Sequence, residues 1–252
     1  MENVTCKGFK TAGVASGLKK NGGKDLGLIY SEVPATVAGV FTKNLVQAAP
    51  VLLDRERIKS GKCQAVIVNS GNANCCTGGQ GMLDAIAMTR FAAYGLAISE
   101  ELVLVASTGV IGQGLDTGKI EAAMPELIKV AAPEGLDDFA KAIMTTDKVP
   151  KVVTQQGVME GVPYTVTGVA KGSGMIRPDM ATMLCFVVSD IKISHDLLTE
   201  ALLAATDKSF NKITIDGDTS TNDTILVLAN GLSGATVKNP AQKESFQIVL
   251  DE

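Results

Sequence analysis

Tryptophan is absent and aromatic residues make up only 4% of the 252-residue chain. That scarcity argues against the stacking platforms that hold single-stranded nucleic acid. Positive charge is also in short supply: 23 Lys and Arg stand against 27 Asp and Glu, for a formal net charge of −4. With no basic cluster to offset it, that balance argues against nucleic acid as the main partner. No apolar run is long enough to span a bilayer, and the first residues, MENVTCKGFK, lack the charged-then-apolar pattern of a secretory leader. Histidine occurs once, as His195 in "SHDLL", and reads as a solvated residue in the first turn of a helix. A Ser-His-Asp triad or a His-rich metal site is therefore not expected. The five cysteines (6, 63, 75, 76 and 185) show no CxxC spacing. They read as reduced thiols of a cytoplasmic protein, with the vicinal pair Cys75 and Cys76 serving packing rather than redox chemistry. What the chain has in plenty is glycine, 26 residues of it, which favours tight turns and close backbone approach.

Periodicity predicts a mixture of strands and helices without strict βαβ alternation. "DLGLIYSE", "ATVAGVFT", "APVLL" and "CQAVIVNSG" read as strands, as do "LVLVASTG", "TMLCFVVSD" and "TILVLANG". "LDAIAMTRFAAYGLA" places Ala85, Met88, Ala92 and Leu96 at helical spacing. "TGKIEAAMPELIKVAA" does the same with Ile120, Ala123, Met124, Leu127 and Ile128, capped by Thr117. Further helices are expected in "LDDFAKAIMTTD" and in "SHDLLTEALLAATDKSF", the latter with Leu197, Leu198, Ala201, Leu202 and Ala205 inward. "KVVTQQGVMEGVPYTVTGVA" reads as a hairpin turning at Glu160-Gly161. Layered sheets and helices fit this order better than a doubly wound fold. "KESFQIVLDE" opens a helix with no cap after it, which reads either as a frayed terminal helix or as one that the natural protein continues beyond Glu252.

The stretch with most chemical content is "AKGSGMIRPDMATMLCF", residues 170–186, where a glycine-rich loop and a lysine lead into a core strand through Ala181-Thr182. A threonine hydroxyl is a weak nucleophile and needs a base within hydrogen-bond reach. With no histidine at hand, one solution is for Thr182 to become a chain terminus whose own α-amine, titrating near ~7.7–8.0, supplies the base. Its hydroxyl would attack the Ala181 carbonyl, and water would hydrolyse the resulting ester. Gly172, Gly174 and Pro178 permit the tight approach, and Lys171 places positive charge beside it. The plain alternative is a Gly-rich loop feeding an ordinary strand. A phosphate-cradling loop is excluded, because the GxxxxGK[ST] spacing occurs nowhere in the chain. In "ASTGVIGQG" the Thr108-Gly109 turn offers a hydroxyl and a backbone N–H as an oxyanion hole, although such turns are common at strand ends. "DGDTSTNDT", residues 216–224, lacks the EF-hand pattern and reads as a polar turn or as the wall of a site.

Taken together, "KGFKTAGVASGLKK", "DLGLIYSEVPATVAGVFT", "VNSGNANCCTG", "ASTGVIG", "MTTD", "AKGSGMIRPDMATMLCF" and "DGDTSTND" resemble, in order, the ornithine acetyltransferases of arginine biosynthesis, the bifunctional glutamate N-acetyltransferases. The resemblance runs along essentially the whole chain. It implies an α/β fold, a layered α-β-β-α sandwich similar in plan to the N-terminal-nucleophile hydrolases. It also implies self-cleavage between Ala181 and Thr182, giving an α chain of residues 1–181 and a β chain from residue 182 whose C-terminal remainder lies outside residues 182–252. Thr182 matches the nucleophile, Thr108 and Gly109 the oxyanion hole, and Lys171 a substrate-contacting lysine. Thr145 or Thr146 of "MTTD" matches a residue of the substrate pocket. The implied reaction moves an acetyl group from N2-acetyl-L-ornithine to L-glutamate through an acetyl-threonine ester, with no cofactor and with acetyl-CoA as the alternative donor. The implied assembly is a cytoplasmic heterotetramer of two α and two β chains. A self-processing amidohydrolase or aminopeptidase of similar architecture is the competing enzyme reading, and an inactive truncated fragment the non-enzymatic one.

Overall fold

The computed structural model describes residues 5–175 and 183–252. Strand β1 (Phe9–Val14) pairs antiparallel with β2 (Leu26–Phe41), which is 16 residues long and belongs to both halves of the fold. Its first half also pairs with β3 (Lys62–Asn72), and β3 pairs parallel with β4 (Val103–Val110). Beyond an irregularity between Tyr30 and Ala35, its second half pairs antiparallel with β8 (Thr224–Ala229). From there the order runs through β7 (Leu184–Ser189) and β6 (Val162–Lys171) to β5 (Lys151–Met159). The two runs expected as separate strands, "DLGLIYSE" and "ATVAGVFT", are thus one bent strand.

Alternation along the strands sorts side chains into three cores. Ala65, Ile67, Val103 and Val105 face outward onto α2 (Gly78–Leu96) and α3 (Thr117–Lys129). Ile225, Val227 and Cys185 face the opposite way, onto α5 (His195–Lys208) and α6 (Pro240–Asp251). Their neighbours Val66, Val68, Leu104, Leu226, Leu228 and Phe186 meet in the middle. The period of two makes each strand contribute to an inner and an outer core, which is the helix–sheet–sheet–helix layering expected. Helix α4 (Leu136–Ile143) plugs the central core with Phe139, whose ring meets Phe186 edge-on at 5.6 Å between centroids. Among the described residues no helix is long and apolar enough to cross a membrane.

Three local expectations are corrected. "APVLL" lies in helix α1 (Ala49–Arg57), not in a strand: Pro50 sits in its first turn, where its missing N–H costs nothing, and only one face is buried. Asp116, not Thr117, caps α3, its carboxylate accepting the Lys119 N–H. His195 does open α5, but it is half-buried, with Nδ1 2.8 Å from the Val37 carbonyl. The hairpin turns at Glu160-Gly161 as expected, where Glu160 and Gly161 both have positive φ. Ala181, Thr182 and Pro178 lie outside the described residues.

Candidate active site

Parallel pairing of β3 and β4 brings Ser70 opposite Thr108 and Gly71 opposite Gly109, at the ends of both strands. Gly109 has φ +137°, and a Cβ there would fall 2.3 Å from the Gly71 carbonyl carbon and 2.5 Å from the Asn72 nitrogen. Only glycine fits. The loops beyond are tied together: Ala73 N–H donates to Val110 O and Gly112 N–H to Cys75 O, while Asn72 Nδ2 donates to Gln113 O and Gly114 O. Gly109→Ala should therefore lower stability by at least about 2 kcal/mol, from φ strain and overpacking together. Urea unfolding measures this, and an unchanged midpoint would mean that the turn is not held as described.

Thr108 is buried, and its Oγ1 lies 3.1 Å from Nζ of Lys171, the last residue of β6. An ammonium donates three hydrogen bonds and accepts none. Lys171 therefore donates to Thr108, and the hydroxyl hydrogen of Thr108 must point elsewhere. Lys171 is only 4% exposed, and its pKa is lowered by burial, against which Asp147 and Asp223 hold the charge. Asp147 organises the neighbouring loop. Its Oδ1 accepts Gly172 N–H at 2.7 Å and Lys151 Nζ at 2.7 Å, and its Oδ2 accepts the Thr145 N–H. Burial pushes the Asp147 carboxyl up, but these donors and Lys171 outweigh it, and the net shift is downward.

A cavity of about 850 Å³ opens here, and Thr108, Gly109, Thr145, Thr146 and Lys171 all line it. These five candidates come from three separate stretches of sequence and meet at one concavity. Thr146 Oγ1 and Ser173 Oγ are 2.8 Å apart on its rim. Lys19, half-buried with its pKa lowered by burial, and the exposed Lys20 add two further cations to the wall. Among the described residues, no carboxylate side chain lines the cavity. The 216–224 segment contributes Ser220, Thr221 and Asn222 to the wall. Asn222 was not singled out from sequence. Its buried Nδ2 donates to Ala73 O at 2.7 Å and to Ser107 O at 2.8 Å, stitching the ends of β3 and β4 beside the Thr108-Gly109 turn. Its only advance signal was membership of the polar run "DGDTSTNDT". Lys19 was present in "ASGLKK" with nothing to mark it as a wall residue.

Residues 10–252 match the ArgJ family. The chain belongs to the ArgJ family. It is 49% identical over 251 residues to the arginine biosynthesis bifunctional protein ArgJ of Geobacter sulfurreducens, a match covering 99% of this chain and 64% of that protein. The chain thus spans just under two thirds of the length of that curated relative. Among solved structures it is similar to the arginine biosynthesis bifunctional protein ArgJ of Bacillus halodurans, with 45% identity and a TM-score of 0.67 over 71% of this chain and 95% of that one. It is also similar to the ornithine acetyltransferase of Mycobacterium tuberculosis, solved in complex with ornithine, with 40% identity and a TM-score of 0.64 over 69% of this chain and 93% of that one. A likeness of fold alone extends to an aminopeptidase of Ochrobactrum anthropi described as a variant of the Ntn hydrolase fold, at 13% identity and a TM-score of 0.55. Membership of the ArgJ family accounts for the motif order and for the layered fold.

Proposed function

We propose that the full-length protein transfers the acetyl group of N2-acetyl-L-ornithine to L-glutamate, with Thr182 as nucleophile. The observation that carries this reading is the Lys171–Thr108 contact at the mouth of the Gly109 turn, on a cavity walled by cations. Leu184, two residues after Thr182, pairs with Lys171 at the start of β7, so the chain leads into β7 beside that contact. Self-cleavage begins with Thr182 Oγ attacking the Ala181 carbonyl, which converts the peptide into an ester. Water then splits the ester, leaving the Ala181 carboxylate and a free Thr182 α-amine.

Acetyl transfer repeats that chemistry on substrate. Thr182 Oγ gives its proton to the α-amine and bonds to the acetyl carbon; the C–N bond of acetylornithine breaks and ornithine leaves with the proton. The amine of glutamate then attacks the ester, N-acetylglutamate leaves, and the hydroxyl is restored. Each tetrahedral oxyanion is held by the Thr108 hydroxyl and the Gly109 N–H, since Lys171 leaves the Thr108 hydrogen free to turn into the cavity. The lysines of the wall suit amino-acid carboxylates, and Thr145 or Thr146 supplies a hydroxyl at the rim. Acetyl-CoA is the alternative donor, no cofactor is required, and the two chains assemble as a heterotetramer.

The test is to incubate full-length protein with acetylornithine and follow its mass, then add glutamate. An acetyl adduct on the chain beginning at Thr182, discharged to N-acetylglutamate, is expected. Discharge to acetate alone, unaffected by glutamate, would make the protein a hydrolase of the aminopeptidase kind.

A further inference from the structure

Asp223 is fully buried immediately before β8. Its Oδ1 accepts the Met183 N–H at 3.0 Å, and the Thr224 N–H donates to the Met183 carbonyl at 3.2 Å. Both backbone polar groups of Met183 are therefore held by two consecutive residues, Asp223 just before the neighbouring strand and Thr224 at its start. The only side chain in that clamp is Asp223. Its other oxygen, Oδ2, is buried with no hydrogen-bond partner among the described residues. Thr42 and Ser220 lie near, but the Thr42 hydroxyl donates to the Ser220 carbonyl instead. Burial pushes the Asp223 carboxyl up to about 7, against the Met183 N–H, the nearby Ser220 hydroxyl, the charge of Lys171 and the Thr42 hydroxyl. A half-satisfied buried carboxyl is an expensive way to tie down one N–H.

We propose that Asp223 is a positioning residue for the Thr182 nucleophile, anchoring through Oδ1 the amide of the residue bonded to it. This rests on the assignment of Thr182 above. Asp223 does not line the cavity and touches no substrate there; it acts through Met183. Because Met183 is joined to Thr182 by one peptide bond, freedom at the Met183 nitrogen passes directly to the attacking hydroxyl. A displacement of that kind costs rate rather than binding.

The test uses full-length enzyme with Asp223→Leu, which keeps the branched shape and removes the acceptor, and Asp223→Asn, which keeps an acceptor oxygen. The Leu variant should lose about 100-fold in kcat per cleaved chain, with KM for acetylornithine and glutamate within about threefold of wild type. Self-cleavage, followed by intact mass, should slow in parallel. Asn should recover most of the loss. Wild-type rates in a folded Leu variant would overturn the proposal, as would an Asn variant no better than Leu or a loss that appears in KM. If the Leu variant does not fold, amide hydrogen exchange at Met183 in the wild-type protein decides: strong protection that weakens selectively in a poorly active Asn variant upholds the anchor, and fast exchange in wild type overturns it. A wild type that neither cleaves at Ala181-Thr182 nor transfers acetyl groups would remove the Thr182 assignment and this role with it. The loss of this role alone is recognised by an active, cleaved wild type beside unimpaired variants.

Discussion

Full-length protein carrying Thr182→Ala should be recovered as one chain, whereas the wild type should yield two, the second beginning Thr-Met-Leu-Cys. Without a hydroxyl nothing attacks the Ala181 carbonyl, and without cleavage no α-amine arises to serve as base in a site that has no histidine. Both losses fall on one atom, so acetyl transfer should drop by about 10⁴-fold or more rather than by an intermediate amount. Thr182→Ser retains the hydroxyl and should still cleave, because only the β-methyl group is lost. Intact mass and N-terminal sequencing of wild type and both variants give the answer. Efficient cleavage of the Ala variant would assign the cut to another protease and take the nucleophile's role from Thr182.

That prediction stands on sequence more than on coordinates, which reflects how the fold and the candidate site became legible. A Gly-rich loop running through a lysine into Ala-Thr is a local signal, and so is a Thr-Gly turn at a strand end. Local signals survive in the sequence. The strand–helix order was readable for the same reason, apart from β1, which was not expected, the two runs that form the single strand β2, and "APVLL", where five residues are too few to separate a strand from the first turns of α1. What joins Thr108, Thr145 and Lys171 is long-range: the parallel β3–β4 pair and the β5–β6 hairpin carry them to one cavity, and no period within one segment encodes that meeting. Asn222 and Asp223 were silent in the sequence because their meaning depends on partners far along the chain. Asn222 reaches Ala73 and Ser107, while Asp223 reaches Met183 through the parallel β7–β8 pairing. In "DGDTSTNDT" they are two residues among nine, and burial does not set them apart, since Ser220, Thr221 and Thr224 are buried with them; their long-range hydrogen bonds do.

Thr108→Ala should lower kcat by about 10²–10³-fold, the usual loss for one oxyanion donor, which corresponds to roughly 2.7–4 kcal/mol of transition-state stabilisation. The hydroxyl acts on charge that exists only in the tetrahedral state, so KM should move little. The fold should persist, because the turn geometry rests on Gly109 and on the backbone bonds of the following loop. Thr108→Ser keeps the donor and should stay close to wild type. The Lys171 contact adds a pH signature. While Lys171 is an ammonium it can only donate, which keeps the Thr108 hydrogen available to the cavity. Burial lowers the Lys171 pKa, with Asp147 and Asp223 opposing the shift and Lys151 and Lys19 adding to it. As pH rises through that lowered value, neutral Lys171 becomes an acceptor and the Thr108 hydroxyl turns toward it. Activity should therefore fall on the alkaline side below the usual lysine range. In Thr108→Ala that part of the alkaline fall should disappear, since no hydroxyl remains to be turned. A pH–rate profile of the two proteins measures it, and an identical alkaline limb in both would detach Lys171 from the oxyanion hole.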